Sequence, residues 1–93
     1  MTRWAFDWDE HNLTKCVSRV PRAEIERLFG DPATYLAEDP HLGETRYRAM
    51  GRNTLGRPLF VVFTLRRIGD GLVIRPISAR YAHKKEAMRW PTN

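Results

Sequence analysis

Residues 45–81 read TRYRAMGRNTLGRPLFVVFTLRRIGDGLVIRPISARY, and this stretch decides the fold. From Thr45 to Arg52 the chain alternates. Arg46, Arg48, Met50 and Arg52 point one way, and Thr45, Tyr47 and Ala49 the other, which is the period of a strand. Asn53-Thr54-Leu55-Gly56 is a turn. Leu59 to Leu65 is apolar on both faces, as expected of a central strand. Ile68-Gly69-Asp70-Gly71 is a second turn, with two glycines able to take positive φ. Leu72 to Tyr81 is the last strand. Pro76 within it has no N–H to give a ladder, which places it on an edge or at a bulge. Turns this short join neighbouring antiparallel strands, so the three form a meander.

Upstream, Trp4-Ala5-Phe6-Asp7-Trp8 has the alternation of a short strand with its three aromatic residues on one face. Asp9 suits a helix N-cap, and a helix follows over residues 10–16. Ser18 to Pro21 is a break. Pro21 fits the first turn of a second helix, in which Ile25, Leu28 and Phe29 form the buried stripe and Gly30 the residue just past the end. Thr34 to Glu38 is a short strand anchored by Tyr35, and Pro40 and Gly43 mark a loop. Downstream, a helix from about Ala82 to Trp90 is stopped by Pro91. The element order predicts an α+β fold: a small antiparallel sheet with two N-terminal helices and one C-terminal helix, the helices covering one face.

The 93 residues fit one domain, 1–93, and exclude large catalytic architectures such as a barrel or a doubly wound sheet. Cys16 is the single cysteine, so an internal disulfide and a cysteine-based zinc site are excluded, and a reducing cytoplasm is the expected compartment. No apolar signal-type segment follows Met1, and the longest apolar run, Leu59 to Phe63, is too short to span a bilayer. Charge is unevenly placed. Residues 1–45 carry five Lys/Arg against nine Asp/Glu, a net of −4, whereas residues 46–93 carry eleven against two, a net of +9. A basic half on a small domain is the footprint of a polyanion-binding surface or of a face for an acidic protein.

The densest candidate chemistry is C-terminal. Ser78 and Arg80 share one strand face, and the chain then runs into His83-Lys84-Lys85-Glu86. In one helix His83, Glu86, Ala87 and Trp90 would share a stripe. A strand-end arginine beside a His/Glu pair supplies the parts for metal-free cleavage of RNA. The 2′-hydroxyl must lose a proton, the phosphorane needs cations, and the departing 5′-oxygen needs a proton. Arg80 would clamp phosphate, Glu86 or His83 would be the base, and Lys84 and Lys85 auxiliary cations. Spacing alone favours a plainer reading, in which Arg80 and Glu86 form a structural ion pair and His83 caps the helix. Arg46 and Arg48 are equally a phosphate-binding pair or long side chains lying over an exposed sheet face. His11 and Lys15 lie four apart on the first helix and reach the same cleft if that helix packs beside the sheet; a solvated helix face is the commoner arrangement. The histidines His11, His41 and His83 have no metal-site spacing. Residues 51–56 are no phosphate loop, because they join two strands. Phe60 and Phe63 read as core, and Trp4 and Trp8 as packing against the helices.

The ordered set of motifs resembles the BrnT toxins of bacterial type II toxin–antitoxin systems. The stretches that carry the resemblance are Phe6-Asp7-Trp8-Asp9, Asn12 with Lys15, Phe29-Gly30-Asp31-Pro32, Arg46 to Arg52, Gly56 to Thr64, and Ile77-Ser78-Ala79-Arg80 with Lys84-Lys85-Glu86. The resemblance implies a RelE-like fold, ribonuclease activity without a metal or other cofactor, RNA as substrate, and a BrnA-type antitoxin as partner. DNA would be reached only through the antitoxin, and no membrane is involved. It implies functional positions at Arg46, Ser78, Arg80 and Glu86. Beside these, the residues themselves offer His83 as a catalytic candidate and Lys15, Arg48, Arg52, Lys84 and Lys85 as RNA-binding cations. The chain departs from the family pattern after Lys15, where Cys16-Val17 stands in place of the usual His-Gly. The alternative from a different class is a non-catalytic module, or a degenerate toxin, that binds nucleic acid or antitoxin without cutting RNA.

Overall fold

The computed structural model describes residues 4–40 and 43–91, so His41 lies outside the described residues. Two helices, α1 (Glu10–Val17) and α2 (Arg22–Gly30), precede strands β1 (Tyr35–Asp39), β2 (Arg46–Arg52), β3 (Pro58–Ile68) and β4 (Gly71–Tyr81), and a short α3 (Lys84–Ala87) follows. The strands form one sheet in chain order, β1-β2-β3-β4, antiparallel throughout. The expected α+β fold, the meander and the central position of β3 are all present.

Alternation sorts the sheet into two faces. Leu59, Val61 and Phe63 of β3 are buried, and they meet Ala49 of β2 and Ile74 and Ala79 of β4 in one cluster with Cys16, Val20, Ile25, Leu28 and Phe29. This is the face that α1 and α2 cover. Gly51 lies on it opposite Leu59. A Cβ at Gly51 would stand 2.7 Å from both Leu28 Cδ1 and Thr34 Oγ1, so only glycine lets α2 and the start of β1 approach this closely. Burial also pushes the Cys16 thiol above its ordinary pKa, consistent with a core residue and not a nucleophile.

The outer edge of β4 is handled by a bulge and a side chain. Val62 pairs with Ser78 but Phe63 with Pro76, leaving Ile77 as the extra residue. Pro76 thus sits on an edge strand and at a bulge. Its carbonyl accepts a hydrogen bond of 3.0 Å from Nδ2 of the buried Asn12 in α1. Asn12 also donates to the Asp7 carbonyl and accepts from the Asp9 backbone N–H, while Asp9 caps the Asn12 N–H in return. This capping box starts α1 and binds it to the edge of β4. Arg75 reinforces the join, with Nη2 2.7 Å from Asp9 and Nη1 3.3 Å from Asp7.

Four expectations are corrected. The aromatic segment at residues 4–8 is not a full strand: it makes one parallel bridge, Phe6 to Ile74, because Asp9 already turns the chain into α1. Its aromatic residues part company, with Phe6 against Phe29, Trp8 Nε1 donating to Glu26, and Trp4 47% exposed. Gly30 is the last residue of α2 and not a left-handed cap; Asp31 leaves in extended conformation. Of the two turn glycines, Gly69 alone has positive φ, since Gly71 already pairs in β4. The last helix is one turn long. Beyond it Arg89 and Trp90 bond three residues back, to Glu86 and Ala87, and this tight turn brings the Trp90 ring to 6.3 Å from that of Phe60.

Asn12→Ala should lower stability by about 2–3 kcal/mol, because it removes the hydrogen bonds to the Asp7 and Pro76 carbonyls and from the Asp9 N–H, and a shift of the urea midpoint measures this. The Asn12 N–H, followed by Arg75, holds the Asp9 carboxyl below its ordinary pKa. A group depressed in the folded state stabilises fully above its unfolded pKa and ceases to do so as pH falls through the folded value. Urea midpoints should therefore fall as pH drops below about 4, and Asp9→Asn should flatten that dependence.

Candidate functional site

The face opposite α1 and α2 collects most of the residues singled out in the sequence. Three rows cross it. Tyr35, Met50, Phe60 and Arg80 are register partners in one row, and Ala37, Arg48, Val62 and Ser78 in the next. In the third, Asp39 partners Arg46, and Thr64 partners Arg75. Four residues of β3 separate the Phe60 row from the Thr64 row, about 13 Å of extended chain. Arg80, Ser78, Arg48 and Arg46 thus lie along one track, and its two ends differ in chemistry.

At the α3 end, Arg80 and Glu86 form a bidentate pair, Nη1 to Oε1 at 2.9 Å and Nη2 to Oε2 at 2.8 Å. The hydrogen bonds from Arg80 hold the Glu86 carboxyl below its ordinary pKa, and the same bonds raise that of Arg80. The guanidinium carbon lies 4.6 Å from the centre of the Phe60 ring, so Phe60 is a platform under Arg80 and Trp90, and only Phe63 is in the helix-covered core. His83 is the N-cap of α3, its Nδ1 accepting from the Lys85 N–H at 3.2 Å. The ion pair and the cap are thus both formed. A shallow pocket of about 420 Å³ beside them is lined by His83, Lys85, Glu86, Arg89 and Trp90. Arg52, at the far end of β2, donates to the Gly56 carbonyl across the β2–β3 turn and stands apart from Arg46.

In the middle of the track, Arg48 Nε lies 2.9 Å from Asp39 Oδ1 at ion-pair distance, yet the buried N–H makes no hydrogen bond in that geometry. Ser78 stands across Val62 from it.

At the other end lies a groove of about 640 Å³. One wall is α1, with His11, Asn12 and Lys15. The opposite wall is Glu44 to Tyr47, and Thr64, Arg75, Pro76 and Ile77 also line it. Its mouth carries Arg66, which is paired with Asp7 at 2.9 Å. Among the described residues, Arg46 makes one ion pair, of 3.4 Å, to the exposed Glu44. So His11 and Lys15 do share a cleft with Arg46, because the Asn12 tie sets α1 beside the sheet edge. Sequence reasoning missed Arg75, Arg66 and Thr64. Arg75 and Arg66 are spent on the N-terminal aspartates, and Thr64 donates to the Thr45 carbonyl. Nothing in their spacing signals those partners.

Among the described residues, no cluster of three His, Cys, Asp or Glu side chains is placed to hold a metal ion, and no helix is long and apolar enough to cross a membrane.

No curated protein matches the chain. The family of the ribonuclease toxin BrnT of type II toxin–antitoxin systems matches it over residues 8–86. That span runs from Trp8, ahead of the α1 cap, to Glu86, the partner of Arg80, and so takes in the whole sheet and both ends of its open face. The chain belongs to the BrnT family of ribonuclease toxins.

Proposed function

We propose that this chain is a metal-independent endoribonuclease toxin of the cytoplasm, neutralised by a BrnA-type antitoxin through which alone it would reach DNA. The observation that carries this reading is the open sheet face, where Arg46, Arg48 and Arg80 line one track with the Ser78 hydroxyl among them. Arginine forks suit phosphodiester oxygens, and a strand of RNA laid along the track would meet a cation at successive rows. A 2′-hydroxyl next to a phosphate so held attacks the phosphorus and expels the 5′-oxygen. The products are a 2′,3′-cyclic phosphate and a 5′-hydroxyl, and the cations stabilise the charge that builds on the phosphorane.

Glu86 and His83 are ranked by geometry. Glu86 is held ionised by Arg80, which makes it a weaker base near neutrality than an unpaired carboxylate. His83 uses Nδ1 in the cap and keeps Nε2 free of that contact. Lys84 and Lys85 are exposed on α3 and supply positive potential at this end.

Purified protein incubated with a defined RNA in excess EDTA should leave products with 5′-hydroxyl and cyclic phosphate ends. RNA that is bound but uncut would support the non-catalytic module instead, and cutting only when a divalent metal is restored would overturn the metal-independent chemistry. Arg80→Ala should weaken RNA binding and reduce the slope of log K against log salt by about 0.7, the share of one phosphate contact on a single strand. Its unfolding midpoint, measured in parallel, separates lost binding from lost fold. Growth arrest on producing the chain alone, relieved by co-production of a BrnA-type antitoxin, tests the partner.

A further inference from the structure

We infer that the phosphodiester is cut in the groove between α1 and β2, with His11 as general base and Lys15 as general acid, and not at the Arg80–Glu86 end of the track. This rests on the ribonuclease reading above and names the site on the open face where the bond breaks.

Three observations converge on the groove. It is a groove of about 640 Å³ whose lining brings together an imidazole and cations from separate elements: His11 and Lys15 from α1, Arg46 from β2. These groups are also available. Among the described residues Lys15 makes no ion pair, and Arg46 makes one, of 3.4 Å, to an exposed carboxylate. At the other end both terminal nitrogens of Arg80 are taken by Glu86 at 2.8–2.9 Å, and His83 is bound into a helix cap. Finally, His11 and Lys15 stand four apart on one helix face, with Cβ atoms about 5–6 Å apart, a separation that lets two side chains flank one phosphate. The Asn12 bonds to Pro76 and Asp7 fix the helix between them, so the pair is held by a buried anchor.

The step balances as follows. The His11 imidazole takes the proton of the 2′-hydroxyl as O2′ forms its bond to phosphorus. The P–O5′ bond breaks, and Lys15 gives its proton to the departing O5′. Arg46 holds the non-bridging oxygens, and His11 and Lys15 then return to their starting states by exchange with water. The charged or titratable groups that line the groove with His11 are Lys15 on the same helix and Glu44, Arg46, Tyr47, Arg66 and Arg75 from the sheet side.

Two measurements test this on the intact chain. The first follows the imidazole NMR signals of His11 while a fully 2′-O-methylated RNA, which has no free 2′-hydroxyl, is added. His11 signals should move, and an unmoved His11, with or without a shift at His83, overturns the proposal. The second compares His11→Ala with wild type. kcat should fall about 100-fold or more, with affinity for the 2′-O-methylated RNA within about twofold and the acidic limb of the pH–rate profile gone. A His11→Ala protein that cuts at the wild-type rate, or that keeps the acidic limb, overturns the base assignment while leaving the ribonuclease reading standing. A wild-type chain that cuts no RNA overturns that reading and the catalytic role of His11 together; shifted His11 signals would then mark the groove as a binding site only. His11 is exposed, so its removal leaves the core intact, and an unchanged unfolding midpoint verifies this.

Discussion

The carbonyl of Pro76 sits on the outer edge of β4 beside a bulge, where no strand accompanies it. The buried amide of Asn12 reaches that carbonyl from α1, and its other bonds go to the Asp7 carbonyl and the Asp9 N–H. One side chain thereby satisfies backbone groups from a loop, a helix start and a sheet edge, each of which would cost free energy if left bare and buried. The geometric result matters as much as the energy. A helix tied to the edge of the sheet presents its neighbouring residues past that edge, so His11 and Lys15 overlook the open face although α1 itself packs on the covered side. Loosen that tie and the groove loses a wall.

Charge is distributed with a similar logic. The acidic N-terminal half and the basic C-terminal half meet as specific pairs, Asp7 with Arg66 and Arg75, Asp9 with Arg75, and Asp39 with Arg48. Exposed ion pairs contribute little individually. Arg75 is different: it is 19% exposed and bridges two carboxylates, so it works as a fixed joint between the N-terminal segment and β4. Asp7, Asp9 and Asp39 are engaged in such joints, and Arg46 and Lys15 carry positive charge into the groove with Glu44 as the one carboxylate among the described residues of its lining.

Much of the fold was legible because it rests on local rules. Alternation from Arg46 to Arg52, the unbroken apolar run of β3 and the two turns specify a meander, and Pro76 announces its own edge and bulge. The errors fall where a local rule met a competing partner. Residues 4–8 alternate like a strand, but the cap at Asp9 ends them after one bridge. Residues up to Trp90 read as helix, but a tight turn after Ala87 swings Trp90 onto Phe60. The placement of the candidate residues was legible in part, since strand period alone puts Arg46 and Arg48 on one face and Ser78 with Arg80 on one face. What spacing does not encode is the lateral position of α1. The meeting of Lys15 with Arg46 depends on a bond between residues 12 and 76, and no pattern within either segment reveals it. Arg80 with Glu86, six residues apart, is the opposite case: a close pair of opposite charges whose ion pairing the sequence suggests and the structure contains.

The two ends of the open face hold comparable cations in unlike states. A phosphate arriving at Arg80 meets a guanidinium whose terminal nitrogens both face a carboxylate, and it must compete with a bidentate bond that also holds α3 against the sheet. Displacing Glu86 would free its charge within a few ångströms of the incoming phosphate, so the attraction to Arg80 would be opposed by repulsion from its former partner. A phosphate arriving at Arg46 displaces one long contact to an exposed glutamate that can swing into water, and it gains Lys15 from across the groove. The first exchange replaces one good anion by another, whereas the second adds an anion where positive charge is in surplus. Electrostatics alone therefore favours the α1 end of the track for the tightly held phosphate and leaves the Arg80 end for a looser phosphate contact, made by a guanidinium that also braces the C-terminal helix.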